Sequence, residues 1–221
     1  MSGLRIDIEE AKLNRHLVLG SATGRKIPSR IDHRVELPPT SDQGLTSECA
    51  LYTFAGAIEY ERWKWKGICE QIDPHPLYLD AKKHDGISGE GTTLEAGLQA
   101  CQNMKVIPKV DESSIRVLRT LDEVRRALHR YGVVVAGFSI DKSWGSISSD
   151  GWISGGGESY GGHASLVCGF ADDDEKWFAG QGSWGDKPNT GWHGFWRMTP
   201  ELFEKQFRYG IVWDYHAPKY R

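Results

Sequence analysis

Cys49, at the head of an amphipathic segment, is the residue of this chain best placed to act as a nucleophile. It opens CALYTFAGAIEYERWKW, residues 49–65. Leu51, Phe54, Ala55, Ile58 and Trp65 recur there at helical spacing, with Glu59, Glu61, Arg62 and Lys64 mainly on the other side. The thiolate is the reactive form of cysteine, and a free thiol is mostly protonated at neutral pH. A helix N-terminus, a partner histidine and partial exposure can each change that. The segment predicts the first directly, because the helix dipole and its unpaired N–H groups favour negative charge. Glu48 opposes it: a neighbouring carboxylate raises the thiol pKa unless it points away or is paired. A lone cysteine at the start of such a helix is more often a small buried hydrophobe. The helix alone therefore does not make Cys49 reactive, and the residues elsewhere in the chain decide the matter.

The elements that must position this residue follow from local signals. Ser47 is the expected N-cap of the 49–65 helix. Thr92 with Glu95 predicts a capping box for a helix over 93–103, and Thr120 with Glu123 predicts another for a helix that ends near Gly132. The residues around His75, Asp73-Pro74-His75-Pro76, read as a surface turn. Val133–Phe138 reads as a buried strand, with further strands expected over 163–171, 176–180, 192–198 and 209–215. Thr199-Pro200-Glu201 starts a short helix, with Pro in its favoured first position. The first half is thus mainly helical and the second mainly β. That predicts an α+β fold of two lobes with a cleft between them. Residues 1–30 read as a polar N-terminal extension, 41–110 as the helical lobe and 111–221 as the β lobe. Gly155–Gly162 reads as a flexible rim rather than a phosphate loop, because no strand-turn-helix context surrounds it.

Four blocks around Cys49 occur in a telling order. Gln43-Gly44 stands six residues ahead of Cys49. Pro76–Gly86 then leads into Gly89-Glu90-Gly91-Thr92-Thr93-Leu94. Gly161-Gly162-His163-Ala164-Ser165-Leu166-Val167-Cys168-Gly169-Phe170 follows, and Gly182-Ser183-Trp184-Gly185 comes last. Together these resemble the papain-like (C1) cysteine peptidases, and in character the short bacterial and viral members. The resemblance spans roughly residues 31 to 215. It implies a papain-like two-lobe fold, with a helical left lobe and a β-barrel-like right lobe. It implies a cysteine peptidase that hydrolyses peptide bonds through an acyl-enzyme. Cys49 would be the nucleophile and His163 its base, and the Gln43 amide with the Cys49 N–H would face the oxyanion. Trp184 would shield the histidine at the substrate site. Gly91, with Gly89 as competitor, would let a substrate backbone approach, because a side chain would block it.

The chain departs from the family where Gly182 stands in place of the Asn that orients the histidine. Gln181, a backbone carbonyl or a water are the candidates to replace it. Gly182 and Glu48 keep one alternative open, an impaired pseudopeptidase acting as a peptide-binding or interaction module; shared acyl-enzyme chemistry keeps another, an amidase or acyl transferase on the same fold. The spacing from Cys49 to His163 is short for the family and implies trimmed loops. The N-terminal segment is too short for a long inhibitory propeptide, so self-binding in the cleft as an extended strand is the most it offers.

Composition adds exclusions. The 221 residues are 39% hydrophobic and 26% charged, ordinary for a globular protein, and the net charge of -3 with no long basic run points away from nucleic acid. No stretch approaches the roughly 18 apolar residues of a membrane span. His75, His84, His129, His193 and His216 are scattered without metal-ligand spacing, and Asp172–Glu175 lacks that of a calcium loop, so no metal and no cofactor are expected. The lead-in MSGLRIDIEEAKLNRHLVLG lacks the apolar core of a secretory signal, and the four cysteines read as unbridged thiols. A peptide or protein substrate in a cytoplasmic setting is the expectation.

Overall fold

Alternating apolar residues in the second half of the chain build a sheet with two buried faces. The computed structural model describes residues 26–186 and 192–214. The proposed cleft-binding segment lies almost wholly in residues 1–25, outside the described residues. Seven strands, β1 (Arg30–Asp32), β2 (Ile115–Leu118), β3 (Val134–Asp141), β4 (Ser159–Ala171), β5 (Trp177–Gln181), β6 (Phe195–Met198) and β7 (Phe207–Trp213), form one antiparallel sheet. Its order is β2-β7-β3-β4-β5-β6, with β1 added on β4. The period of two sends Val135, Ala164, Leu166, Cys168, Ile211 and Trp213 into one core, and Val134, Ala136, Phe138, Val167, Phe170 and Val212 into the other.

The first core is closed by three helices, α1 (Cys49–Lys66), α2 (Pro74–Ala81) and α3 (Leu94–Asn103). The second is closed by α4 (Leu121–Tyr131) and α5 (Pro200–Gln206). The molecule is α+β, with α1, α2 and α3 in the first half of the chain and every strand but β1 in the second. Among the described residues no helix is long and apolar enough to cross a membrane.

Local signals place most boundaries. Thr120 and Glu123 form the reciprocal capping box of α4, and Gly132 ends that helix at φ +90°. Three expectations are corrected. Glu48, not Ser47, is the N-cap of α1, and Ser47 instead donates its hydroxyl to Glu90 Oε2 at 2.8 Å. Thr93, not Thr92, caps α3, accepting from the Ala96 N–H at 3.1 Å. The segment at His75 is a helix start, not a turn. Asp73 caps it, and Pro74 and Pro76 fall in the first turn, where the missing N–H groups have no intrahelical partner to lose. Strands β1 and β2 were not expected from the sequence. Both are too short to show a period and exist through their partners β4 and β7.

Candidate active site

Cys49 is the first residue of α1 and is fully buried. The N–H of Ala164 donates to its Sγ at 3.4 Å. That contact carries the sulfur from one lobe to the residue after His163 on the other, 115 residues further along the chain. Alternation along β4 explains the arrangement. Ala164, Leu166 and Cys168 face α1, whereas His163 shares the opposite face with Ser165 and Val167. His163 sits opposite Phe138 in the β3–β4 register.

Glu48 does not oppose Cys49 unaided. Its carboxylate is buried, and its Oε1 lies 2.8 Å from Nδ1 of His75, at the start of α2. The pairing directs the acid toward α2 and gives it a hydrogen-bond partner, the condition under which it interferes least with a thiolate.

Gln43 is held at both ends. Its N–H donates to the Ser183 carbonyl at 2.8 Å, the Ser183 hydroxyl donates to its Oε1, and its Nε2 donates to the Thr46 carbonyl at 2.6 Å. An isolated bridge between Asp42 and Trp184 continues the same pairing. The Gln-Gly and Ser-Trp-Gly blocks, distant in sequence, are therefore one structural unit.

Gln43, His163 and Trp184 line one cleft of about 360 Å³, together with Ile140, Trp144 and Tyr160. Gly91 has a φ of +82°, one that favours glycine; its N–H donates to the Tyr78 hydroxyl at 3.3 Å, and its carbonyl accepts from Lys82 Nζ at 3.0 Å. Gly89, the competitor, has a φ of +102°.

The imidazole is enclosed by rings. Trp184 stacks on His163 at a centroid distance of 4.8 Å with planes 13° apart, and Trp144 meets it edge-on at 5.6 Å and 68°. Burial pulls the His163 pKa down to about 3, because the enclosing rings replace the water that would solvate an imidazolium. Nε2 is buried and has no hydrogen-bond partner among the described residues. Gly182 cannot be the site of a replacement side chain without movement, since a Cβ there would lie 2.7 Å from the Trp184 ring. Gln181, one of the three candidates to orient His163, is committed elsewhere. Its Nε2 donates to the Pro38 carbonyl at 2.7 Å and to Thr40 Oγ1 at 3.3 Å.

Sequence reasoning did not single out Trp144 or Ser183 as parts of the site. Ser183 was visible only inside a motif, and Trp144 lies in a Lys-Ser-Trp-Gly segment with no local signature. Among the described residues no group of three or more His, Cys, Asp or Glu side chains could hold a metal ion.

Solved structures match this arrangement of sheet, helices and cleft. Xylellain, a cysteine protease from Xylella fastidiosa, superposes with a TM-score of 0.68 at 20% identity, over 85% of this chain and 86% of that one. Procathepsin B S9 from Trypanosoma congolense gives 0.73 at 16% identity, over 96% and 86%. Procathepsin L 3 from the larval midgut of Tenebrio molitor gives 0.62 at 15% identity, over 86% and 71%. The fold is papain-like. No family model matches the sequence, and no curated protein matches it. At these identities the likeness is one of papain-like architecture, and the chemistry must be argued from the residues of this chain.

Proposed function

We propose that this papain-like protein is a cysteine peptidase. The observation that carries the reading is the meeting of Cys49 Sγ, at a helix N-terminus, with the β4 backbone immediately beside His163, at a cleft that Gln43 also lines. In this scheme His163 takes the Cys49 proton and the sulfur attacks a peptide carbonyl. The Cys49 N–H and the second N–H of the Gln43 amide face the developing oxyanion. The protonated His163 then delivers its proton to the leaving amine, and water releases the acyl group. Trp184 forms the wall of the cleft against His163. Peptide or protein substrates and a cytoplasmic setting belong to the same proposal, and none of the four cysteines is in a disulfide. Binding of the N-terminal segment in the cleft is a further part of it.

The test is peptide turnover by the intact protein, together with labelling by a peptidyl electrophile and mapping of the adduct. Hydrolysis with the adduct on Cys49 supports the reading. A protein that binds peptides without cleaving them is instead a binding module.

Ser183→Ala checks the role given to Gln43. The variant removes the hydroxyl that donates to Gln43 Oε1 but leaves the backbone pairing of the two residues intact. Losing a whole oxyanion donor costs roughly 10²–10³ in kcat, so loosening one is expected to cost about tenfold. Steady-state kinetics should show the loss in kcat with KM little changed. An equal rise in KM would assign Ser183 to substrate binding instead.

A further inference from the structure

Two carboxylates stand close to the start of α1, and they are held differently. Glu48 is buried and paired with His75. Glu90 is exposed, and its Oε2 accepts from the Ser47 hydroxyl at 2.8 Å. Ser47 is itself buried and precedes Cys49 by two positions, a stretch of chain that spans roughly 7 Å at most. The Glu90 carboxylate is therefore tethered to the segment that leads into the nucleophile, within reach of a long side chain on a bound peptide. Its backbone is fixed as well. Gly89 and Gly91 flank it at φ +102° and +82°, conformations that a side chain would strain. The Gly91 carbonyl accepts from Lys82 Nζ, which also donates to Asp85 Oδ2 at 2.7 Å and to the Ile87 carbonyl at 3.2 Å. Three acceptors use all three N–H bonds of that ammonium, so the cation that fastens this loop is fully committed to it. Among the described residues Glu90 has no ion-pair partner.

We propose that Glu90 selects substrates with a lysine or arginine at the residue whose carbonyl Cys49 attacks. This inference rests on the peptidase reading and names part of its substrate class. In that reading His163 hands its proton to the departing amine, so the cleft lined by His163, Trp184 and Trp144 takes the leaving side of the peptide. The acyl side then runs from Cys49 toward the other elements that frame the sulfur, the Ser47 segment and the 89–91 loop between α2 and α3. A carboxylate has lone pairs for several donors, so the single bond from Ser47 leaves Glu90 able to accept from an ammonium or a guanidinium. Held by a buried hydroxyl on a pinned loop, the carboxylate loses little freedom on pairing, and the charge of the incoming side chain decides the preference. Because Glu90 is exposed, the preference declines with salt.

The test compares peptides that differ only at that residue, with arginine, its uncharged isostere citrulline, or glutamate. The parent is expected to favour arginine over citrulline roughly tenfold in kcat/KM at low salt, and by less at high salt. Glu90→Gln keeps an oxygen for the Ser47 hydroxyl and removes only the charge, and should erase that margin. Glu90→Lys should turn the preference toward glutamate. Turnover without a preference for arginine in the parent, or a preference that survives Glu90→Gln, overturns the role of Glu90 and leaves the peptidase reading intact. Equilibrium binding of the same peptides to full-length Cys49→Ala protein gives a readout independent of turnover. If the parent cleaves none of the peptides, but the Cys49→Ala protein binds the arginine peptide more tightly and loses that margin with Glu90→Gln, the peptidase reading fails and the subsite stands. Equal binding, or none, without any cleavage overturns both.

Discussion

Cys49→Ala is expected to reduce peptide hydrolysis to the uncatalysed background while the protein stays folded. Covalent catalysis has no substitute route once its nucleophile is gone, and losses of 10⁴-fold or more are the usual scale for such a deletion. The structural cost is small by comparison. Cys49 is fully buried, and Ala removes the sulfur and with it the contact accepted from the Ala164 N–H. That contact is a weak sulfur hydrogen bond, and a cost of about 1 kcal/mol is the right order for it and the small void together. The measurement is turnover alongside a thermal melt. Labelling needs a control, because Cys69 is exposed whereas Cys101 and Cys168 are buried. Burial pushes the Cys101 thiol up to about 12 and raises that of Cys168 as well, so neither competes as a thiolate. Adducts should therefore divide between Cys49 and Cys69, and only those on Cys49 should stop turnover. A folded Cys49→Ala protein that still cleaves peptides would remove the mechanism.

The second large effect concerns stability at the other end of α1. Glu61 is buried, and burial raises its carboxyl to about 8, with Lys66 opposing the shift. Its Oε2 has no hydrogen-bond partner among the described residues, and neither has the buried Trp213 Nε1. Both residues line a small cavity shared with Tyr131, Val133 and Ile211. The folded state thus holds a proton that the unfolded chain releases near the ordinary glutamate value of 4.5. Between those two values the native state binds more protons than the unfolded one. Stability is therefore fully present below the unfolded pKa and falls as pH rises toward about 8. The slope approaches 1.4 kcal/mol per pH unit, and several kcal/mol accumulate across the window.

His163 acts in the opposite sense. Its folded pKa is depressed, so stability falls as pH drops from the ordinary 6.5 toward about 3. The two titrations overlap, and a single stability curve does not separate them. Glu61→Gln does, because the amide keeps shape and polarity without the proton. The variant should gain steadily on the parent as pH rises from 5 to 8, by several kcal/mol at the upper end, in urea titrations at each pH. Parallel curves for the two proteins would show that Glu61 does not titrate in this range.

Sequence by itself determined a good part of this protein. The apolar spacing of Leu51, Phe54 and Ile58 and the Thr120–Glu123 box are short-range signals, and α1 and α4 form where those signals lie. The α+β character is likewise legible in the change from helical to strand patterns, and the papain-like resemblance follows from the order of the motifs around Gln43, Cys49, His163 and Trp184. Tertiary structure decided what surrounds each of them. The pairing of Glu48 with His75 spans 27 positions, and the hold of Ser183 on Gln43 spans 140. Neither leaves a local pattern, because it is packing of α1 on α2 and the pairing at Asp42 and Trp184 that bring the partners together. The same holds for the enclosure of His163. The absence of Asn at position 182 is plain in the sequence. What surrounds His163, two indoles with the Gln206–Asp141 pair behind Trp144, comes together only when β3, β4 and α5 pack.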